Sequence, residues 1–239
     1  QMGLAWLDIS TGEFCVQPLR QNEIAGALAR ITPREILTAE DFVLETDTPL
    51  SRQPRSLFSS DNAQARLQNL FGVSTLESFG GFSRAEIAAS GALIDYVQRT
   101  QVGRLPALRP PRQILRTATL EMDGATRRNL ELTRTMSGER KGSLLDAMDR
   151  TLTAAGARLL AADLSAPLRD LPRLQKRLDR VERFVQAPDL REALRVRLKQ
   201  VPDLERALSR LSLERGGPRD LAALRDGLIQ AGEIAVLLK

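Results

Sequence analysis

The chain has 239 residues, 42% hydrophobic but only 4% aromatic, so its core must be built from leucine, alanine, valine and isoleucine, a mix that suits helices more than sheets. It has no histidine, which excludes imidazole-based catalysis, and its one cysteine, Cys15, can make neither an internal disulfide nor a zinc cage, which fits a reducing, cytoplasmic compartment. The net charge is +5: residues 1–109 carry ten arginines, no lysine and twelve acids (−2), whereas residues 110–239 carry 25 basic and 18 acidic residues (+7).

The first half reads as mixed α/β. Gly3–Ser10 and Glu13–Gln17 have strand character and are joined by Thr11-Gly12, which predicts a hairpin with a two-residue turn. Asn22 is a candidate helix cap before Ile24, Leu28 and Ile31, and Pro33 stops that helix. Glu35–Ala39 reads as a buried strand, so strand, helix and strand together predict a crossover unit in one sheet covered by helices. Ser51–Ser60 reads as a polar, proline-containing loop. Helices are expected at Ala63–Phe71 and Arg84–Gln101. Trp6 and Phe14 are expected in the core.

Pro106, Pro110 and Pro111 interrupt both periodicities and place a domain boundary there, giving domains 1–109 and 110–239. Gln113–Met122 reads as a short strand or an extended lead-in. From Asp123 onward the chain is nearly all helix. Asp123 is a cap for a helix carrying Thr126 to Leu132, and Ser143 with Asp146 is a near capping box for a helix through Met148. Leu171, Leu174, Leu178, Val181 and Val185 step by helical intervals and predict a buried stripe. Leu190, Leu194, Leu198 and Val201 predict another, and Pro202 and Pro218 read as helix starts.

The chemistry written into this sequence is sparse. Gly138-Glu139-Arg140-Lys141-Gly142-Ser143 has the ingredients of a phosphate-binding loop in the wrong order and length, and reads as an inter-helix loop ending in a serine cap. Its Arg140 and Lys141 can approach phosphate. Arg127, Arg128 and Asn129 are the sharpest polar cluster: adjacent arginines on a helix can hold a phosphate or a carboxylate, and the plainer reading is an ion pair between helices or domains. The basic half is biased toward phosphate, yet most of its arginines alternate with acids and read as solvated surface. Phe184 is its one aromatic, a poor composition for single-strand binding. Asp8, Glu35, Glu40 and Asp41 would have to converge on two cations to act as a nuclease. No catalytic, cofactor or metal residue is assigned, and no membrane span or leader is recognised.

The run EMDGATRRNLELTRTMSGERKGSLLDAMDRTLTAAGARLL, residues 121–160, resembles the core domain of the MutS family of DNA mismatch-repair proteins. The likeness continues through Pro167-Leu168-Arg169-Asp170, Arg177-Leu178-Asp179-Arg180-Val181, Asp203-Leu204-Glu205-Arg206 and Pro218-Arg219-Asp220-Leu221, and departs at Ala161-Ala162-Asp163. GLAWLDISTGEF is similar to the early strand pair of the family's connector domain, and Ala88–Gln101 to its last helix. The resemblance implies an α/β connector of ribonuclease-H-like fold, lacking its first strand, over 1–109, and the first part of an all-α core or lever domain over 110–239, ending before the clamp. It implies an internal piece of a longer protein, without the Phe-x-Glu mismatch reader or the ATPase. For that parent it implies mismatched duplex DNA, ATP or ADP with Mg, a MutL-like partner and a homodimer; for this chain it implies no enzymatic activity and no cofactor. Two other readings stand beside it: a standalone helical interaction scaffold, and a MutS-related protein acting in recombination.

Overall fold

Alternating strand residues at the start fold back on themselves. In the computed structural model, which describes residues 2–102, 104–115 and 119–239, strand β1 (Met2–Asp8) pairs antiparallel with β2 (Glu13–Leu19), from Met2 opposite Leu19 to Asp8 opposite Glu13. The turn is longer than the sequence suggests. Residues 9–12 form it, with the Gly12 amide donating to the Asp8 carbonyl at 2.8 Å and the Ser10 amide to the Asp8 carboxylate at 2.8 Å. Gly12 has φ +71, and a Cβ there would lie 1.9 Å from the Ala107 carbonyl oxygen, so both the turn and the close approach require glycine.

Helix α1 (Ile24–Ile31) is entered through a 3-10 turn at Gln21–Glu23, with Glu23 rather than Asn22 at the cap. It ends at Thr32 in the left-handed region, one residue before Pro33. Strand β3 (Ile36–Ala39) then pairs in parallel with β4 (Leu50–Gln53) in a two-stranded sheet. This corrects two expectations. The β2–α1–β3 stretch is not a crossover within one sheet, because β2 pairs instead with β5 (Arg112–Gln113), giving the order β1-β2-β5. Residues 51–60 are not one loop: they supply most of β4, then a 3-10 turn at Arg55–Phe58.

Helices α2 (Ser60–Phe71) and α3 (Arg84–Thr100) cover the first sheet. Ser83 and Glu86 form a capping box that starts α3. Small residues bring the elements together: a Cβ on Gly3 would lie 2.3 Å from the Ala85 carbonyl oxygen, and one on Gly91 2.3 Å from the Ala63 Cβ. Phe14, Val16, Leu67, Leu76 and Ile94 are the buried centre, and Phe71 joins Phe14 to Phe79 through ring contacts at 6.5 and 5.6 Å. Trp6 is only half-buried, its ring covered by the Arg30 guanidinium at 5.2 Å.

The chain divides into two compact units, residues 1–116 and 117–239. The first continues past residue 109 because Arg112 and Gln113 pair with Cys15 and Val16. Part of Gln113–Met122 is strand β5, Thr119 bridges to Leu168, and residues 116–118 lie outside the described set.

The second unit is helical: α4 (Gly124–Asn129), α5 (Leu144–Met148), α6 (Ala154–Ser165), α7 (Leu171–Gln186), α8 (Pro188–Leu198), α9 (Leu204–Ser212) and α10 (Pro218–Leu237). Pro218 occupies the first turn of α10, where its missing N–H costs nothing; Pro202 lies before the Asp203 cap of α9, outside the helix. Glycine again permits close packing, since a Cβ on Gly227 of α10 would lie 2.3 Å from the Leu204 side chain of α9. The α7 stripe is the main departure from expectation. Leu171 is 74% exposed and Val185 64%, with Leu178 and Val181 also more than half exposed. Leu221 and Leu228 of α10 are likewise exposed. The periodicity selects one apolar face; within this chain no described element covers it.

Candidate functional site: the α4–α5 segment

Asp123 caps α4 through a 2.6 Å bond from the Thr126 amide, and that bond holds its carboxyl below the usual carboxylate range. The helix is shorter than its sequence suggests. It ends at Asn129, because Glu131 turns left-handed at φ +47. The Glu131 and Leu132 carbonyls then accept the Leu144 and Leu145 amides, so a long loop closes on itself where continued helix was expected. Ser143 caps α5, accepting the Asp146 amide at 3.2 Å and donating to the Arg140 carbonyl at 2.7 Å. Asp146 answers one residue earlier than a capping box would, through the Gly142 amide at 3.0 Å.

The predicted cationic residues all fall on this segment but engage different groups. Arg127 donates to the Ser165 carbonyl at the end of α6 at 2.6 Å, a backbone acceptor rather than a carboxylate. Its Nε is buried without a partner, and burial pulls the guanidinium below its ordinary value. Arg128 and Asn129 sit at the exposed end of α4. Arg140 pairs with Asp149, whose carboxyl is held down first by Thr151 and then by Arg140. Lys141 is exposed.

The loop's amides decide what it can bind. A phosphate cradle presents free backbone N–H groups. Here Gly138 donates to the Thr135 carbonyl at 2.9 Å and Glu139 to the Thr135 hydroxyl at 3.2 Å. Gly142 is committed to Asp146, and Ser143 to the Arg140 carbonyl at 3.1 Å. The loop is therefore built to hold itself.

Sequence reasoning missed the strongest charge cluster. Arg158 of α6 donates twice to Asp203, at 2.8 and 2.9 Å, and once to Glu205 at 2.7 Å. Asp203 also caps α9, so one carboxylate starts a helix and anchors another. These bonds raise the Arg158 guanidinium and hold the Asp203 carboxyl below its ordinary value. Similar bridges join Arg177 to Asp163 at 3.1 Å and Arg210 to Asp220 at 2.9 Å. Small residues around Gly156 suggested packing at Arg158; nothing local announced carboxylates about 45 residues away.

The acids considered for metal chemistry are dispersed. Asp8 closes its own turn, Glu35 accepts the Tyr96 hydroxyl at 2.5 Å and Asp41 pairs with Arg55 at 3.1 Å. Among the described residues, no group of three or more Cys, Asp or Glu converges as a metal-ligand set. Burial pushes the Cys15 thiol up to about 11, away from the reactive thiolate.

A mixed α/β unit is thus followed by a helical one. The family model for MutS domain II matches residues 1–109, and that for MutS domain III matches residues 125–239. The chain belongs to the MutS family. It is 52% identical over 239 residues to the DNA mismatch repair protein MutS of Cereibacter sphaeroides, covering 98% of this chain and 27% of that protein. The MutS of Paracoccus denitrificans is 50% identical over 243 residues, covering 100% of this chain and 28% of the relative. For Rhodopseudomonas palustris MutS the identity is 49% over 244 residues, covering 98% and 26%. The chain therefore spans about a quarter of the length of these MutS relatives. The α4–α5 segment opens the MutS domain III match, and the β1–β2 hairpin the domain II match. Among the described residues no helix is long and apolar enough to cross a membrane.

Proposed function

We propose that this chain is the mechanical link of a cytoplasmic MutS-type mismatch-repair protein. Residues 1–109 act as the connector, of ribonuclease-H-like fold, and residues 110–239 as the first part of the lever. The whole protein binds mispaired duplex in an ATP-dependent manner, acts as a homodimer and engages a MutL-like partner through the connector. ATP, ADP and Mg act elsewhere in that protein; the Gly138, Glu139, Gly142 and Ser143 amides of the 138–143 loop are already committed, which does not favour a phosphate cradle there. Arg127, Arg128, Asn129, Arg140 and Lys141 serve as inter-helix or backbone-phosphate contacts in this reading.

One observation carries it. The helices of the second unit are long and tied to one another by charge. The 16 residues of α7 span about 24 Å and the 20 of α10 about 30 Å. Arg158, Arg177 and Arg210 fasten α6 to α9, α7 to α6, and α9 to α10. A rod so fastened carries a small rotation at one end to a large displacement at the other.

The test compares the isolated chain with a full-length relative on heteroduplex and homoduplex DNA. The isolated chain is expected to bind both equally, weakly and with steep salt dependence, and to hydrolyse no ATP beyond a mock purification. A mismatch preference that persists at high salt, or genuine hydrolysis, would place reader or motor inside this piece and overturn the assignment.

The exposed stripes bear on the same reading. In the longer protein, the α7 face is where further helical chain packs. The isolated chain is therefore expected to self-associate with rising concentration in sedimentation experiments. Leu178→Gln with Val185→Gln should reduce that association and leave helicity unchanged, since both side chains are more than half exposed. Loss of helicity in this variant would mean the stripe is already packed within the chain.

A further inference from the structure

The first unit has a cleft of about 340 Å³ that neither the α4–α5 segment nor the lever reading uses. Arg66 and Arg99 make its lining cationic. Arg66 of α2 and Arg99 of α3 share one counter-ion, Asp95: Arg66 reaches one carboxylate oxygen at 2.9 Å and Arg99 the other at 2.7 Å. One carboxylate therefore answers two guanidiniums, and one positive charge is left over. Both side chains are already held in place. Arg66 donates to the Gly91 carbonyl at 3.0 Å; Arg99 donates to Gln53 at 2.9 Å and lies against the Tyr96 ring at 5.9 Å. These bonds engage two of the five N–H donors on each guanidinium. Pre-positioned arginines lose little further freedom on accepting an anion. The walls are mixed: Pro54 and Leu57 supply apolar surface, and Asn62 an amide.

We propose that this cleft is a docking subsite for the carboxylate side chain of an acidic peptide segment on a partner protein. The charge balance selects that ligand over a nucleic acid. The folded unit, residues 1–116, carries twelve arginines against twelve acids and is neutral overall, so it presents no broad positive field to draw a polyanion. A single carboxylate needs only the local excess, the one positive charge that Asp95 leaves unbalanced on Arg66 and Arg99. The apolar walls suit the methylene stem of glutamate and a neighbouring side chain. The subsite stands whether or not the mismatch-repair reading holds.

The experiment follows the arginine Nε–H resonances of the full 239-residue chain by NMR. The probes are a blocked Ala-Glu-Leu-Glu-Ala peptide, its Gln-for-Glu counterpart, inorganic phosphate and a short DNA duplex. Saturable shifts of Arg66 and Arg99 are expected with the glutamate peptide, with the glutamine peptide about fivefold weaker, as befits one partly exposed charge pair. Arg99→Gln should weaken the glutamate peptide by about the same factor without loss of helicity, Arg99 being half-exposed. Asn62→Ala, in the wall, provides a second variant expected to lower affinity. Equal response to both peptides, tighter binding of phosphate or duplex, an unchanged affinity in Arg99→Gln, or no saturation by any probe would each overturn the proposal.

Discussion

Gly91→Ala is expected to destabilise the first unit by a net of about 2 kcal/mol. Two opposing effects set the size. Alanine favours a helix interior over glycine by about 1 kcal/mol. Against that, the new methyl would sit 2.3 Å from the Ala63 Cβ and 2.5 Å from its Cα. Neither atom can rotate away, so α2 and α3 must separate, and with them Leu67 and Ile94, which are 1% exposed. Overpacking of this kind costs about 3 kcal/mol, the upper part of its usual range. Urea unfolding followed by Trp6 fluorescence reads this directly, because the only tryptophan lies in the first unit. Gly81→Ala is the control: no atom lies within 4 Å of the place its new methyl would take, and the change should stay within about 0.5 kcal/mol. If Gly91→Ala unfolds at the same midpoint as the parent, the two helices do not meet at this point.

Arg158→Ala is expected to cost the second unit about 2–3 kcal/mol, between the values for exposed and for buried pairs. The side chains of Arg158, Asp203 and Glu205 are all about three-quarters buried, and removing the cation leaves two neighbouring carboxylates, of which Asp203 keeps Arg206 at 3.6 Å. The effect is pH-dependent with a definite sign. Asp203 has a folded-state pKa below its ordinary value, chiefly through the Arg158 hydrogen bonds. The stabilisation it provides is fully present above the unfolded pKa and is lost as pH falls through the folded one. Thermal unfolding of the parent, followed by far-UV circular dichroism, should therefore weaken below about pH 4. Arg158→Ala should be less stable at neutral pH and converge on the parent in acid. A constant gap between the two curves across that range would mean that the contribution of Arg158 is packing alone.

Local signals in the sequence proved sound where the physics is local. Asp123 and Ser143 were legible as caps because a short polar side chain before a helical period has an amide within reach. The hairpin, α2 and α3 follow from apolar spacing. Errors arose where a distant partner decides. The sequence Leu50–Gln53 has no apolar alternation, and it became a strand because β3 lies beside it. Arg112–Gln113 is too short to announce itself, yet it takes the edge of β2 that the crossover expectation reserved for β3. At the candidate site, the residue types were legible and their partners were not. Arg127 looked like half of an ion pair and instead meets the Ser165 carbonyl, whereas Arg158 looked like packing and instead organises two carboxylates.

The sequence by itself determined the family, the order of a mixed α/β unit followed by a helical one, the helix starts, and which face of each helix is apolar. These depend on residue types in fixed order, or on interactions within a few residues. Tertiary structure decided which strands share a sheet, where Gly91 and Gly227 let helices touch, which carboxylates Arg158 holds, and that the α7 stripe stays exposed. Burial is a property of two surfaces, and a periodic pattern specifies only one of them.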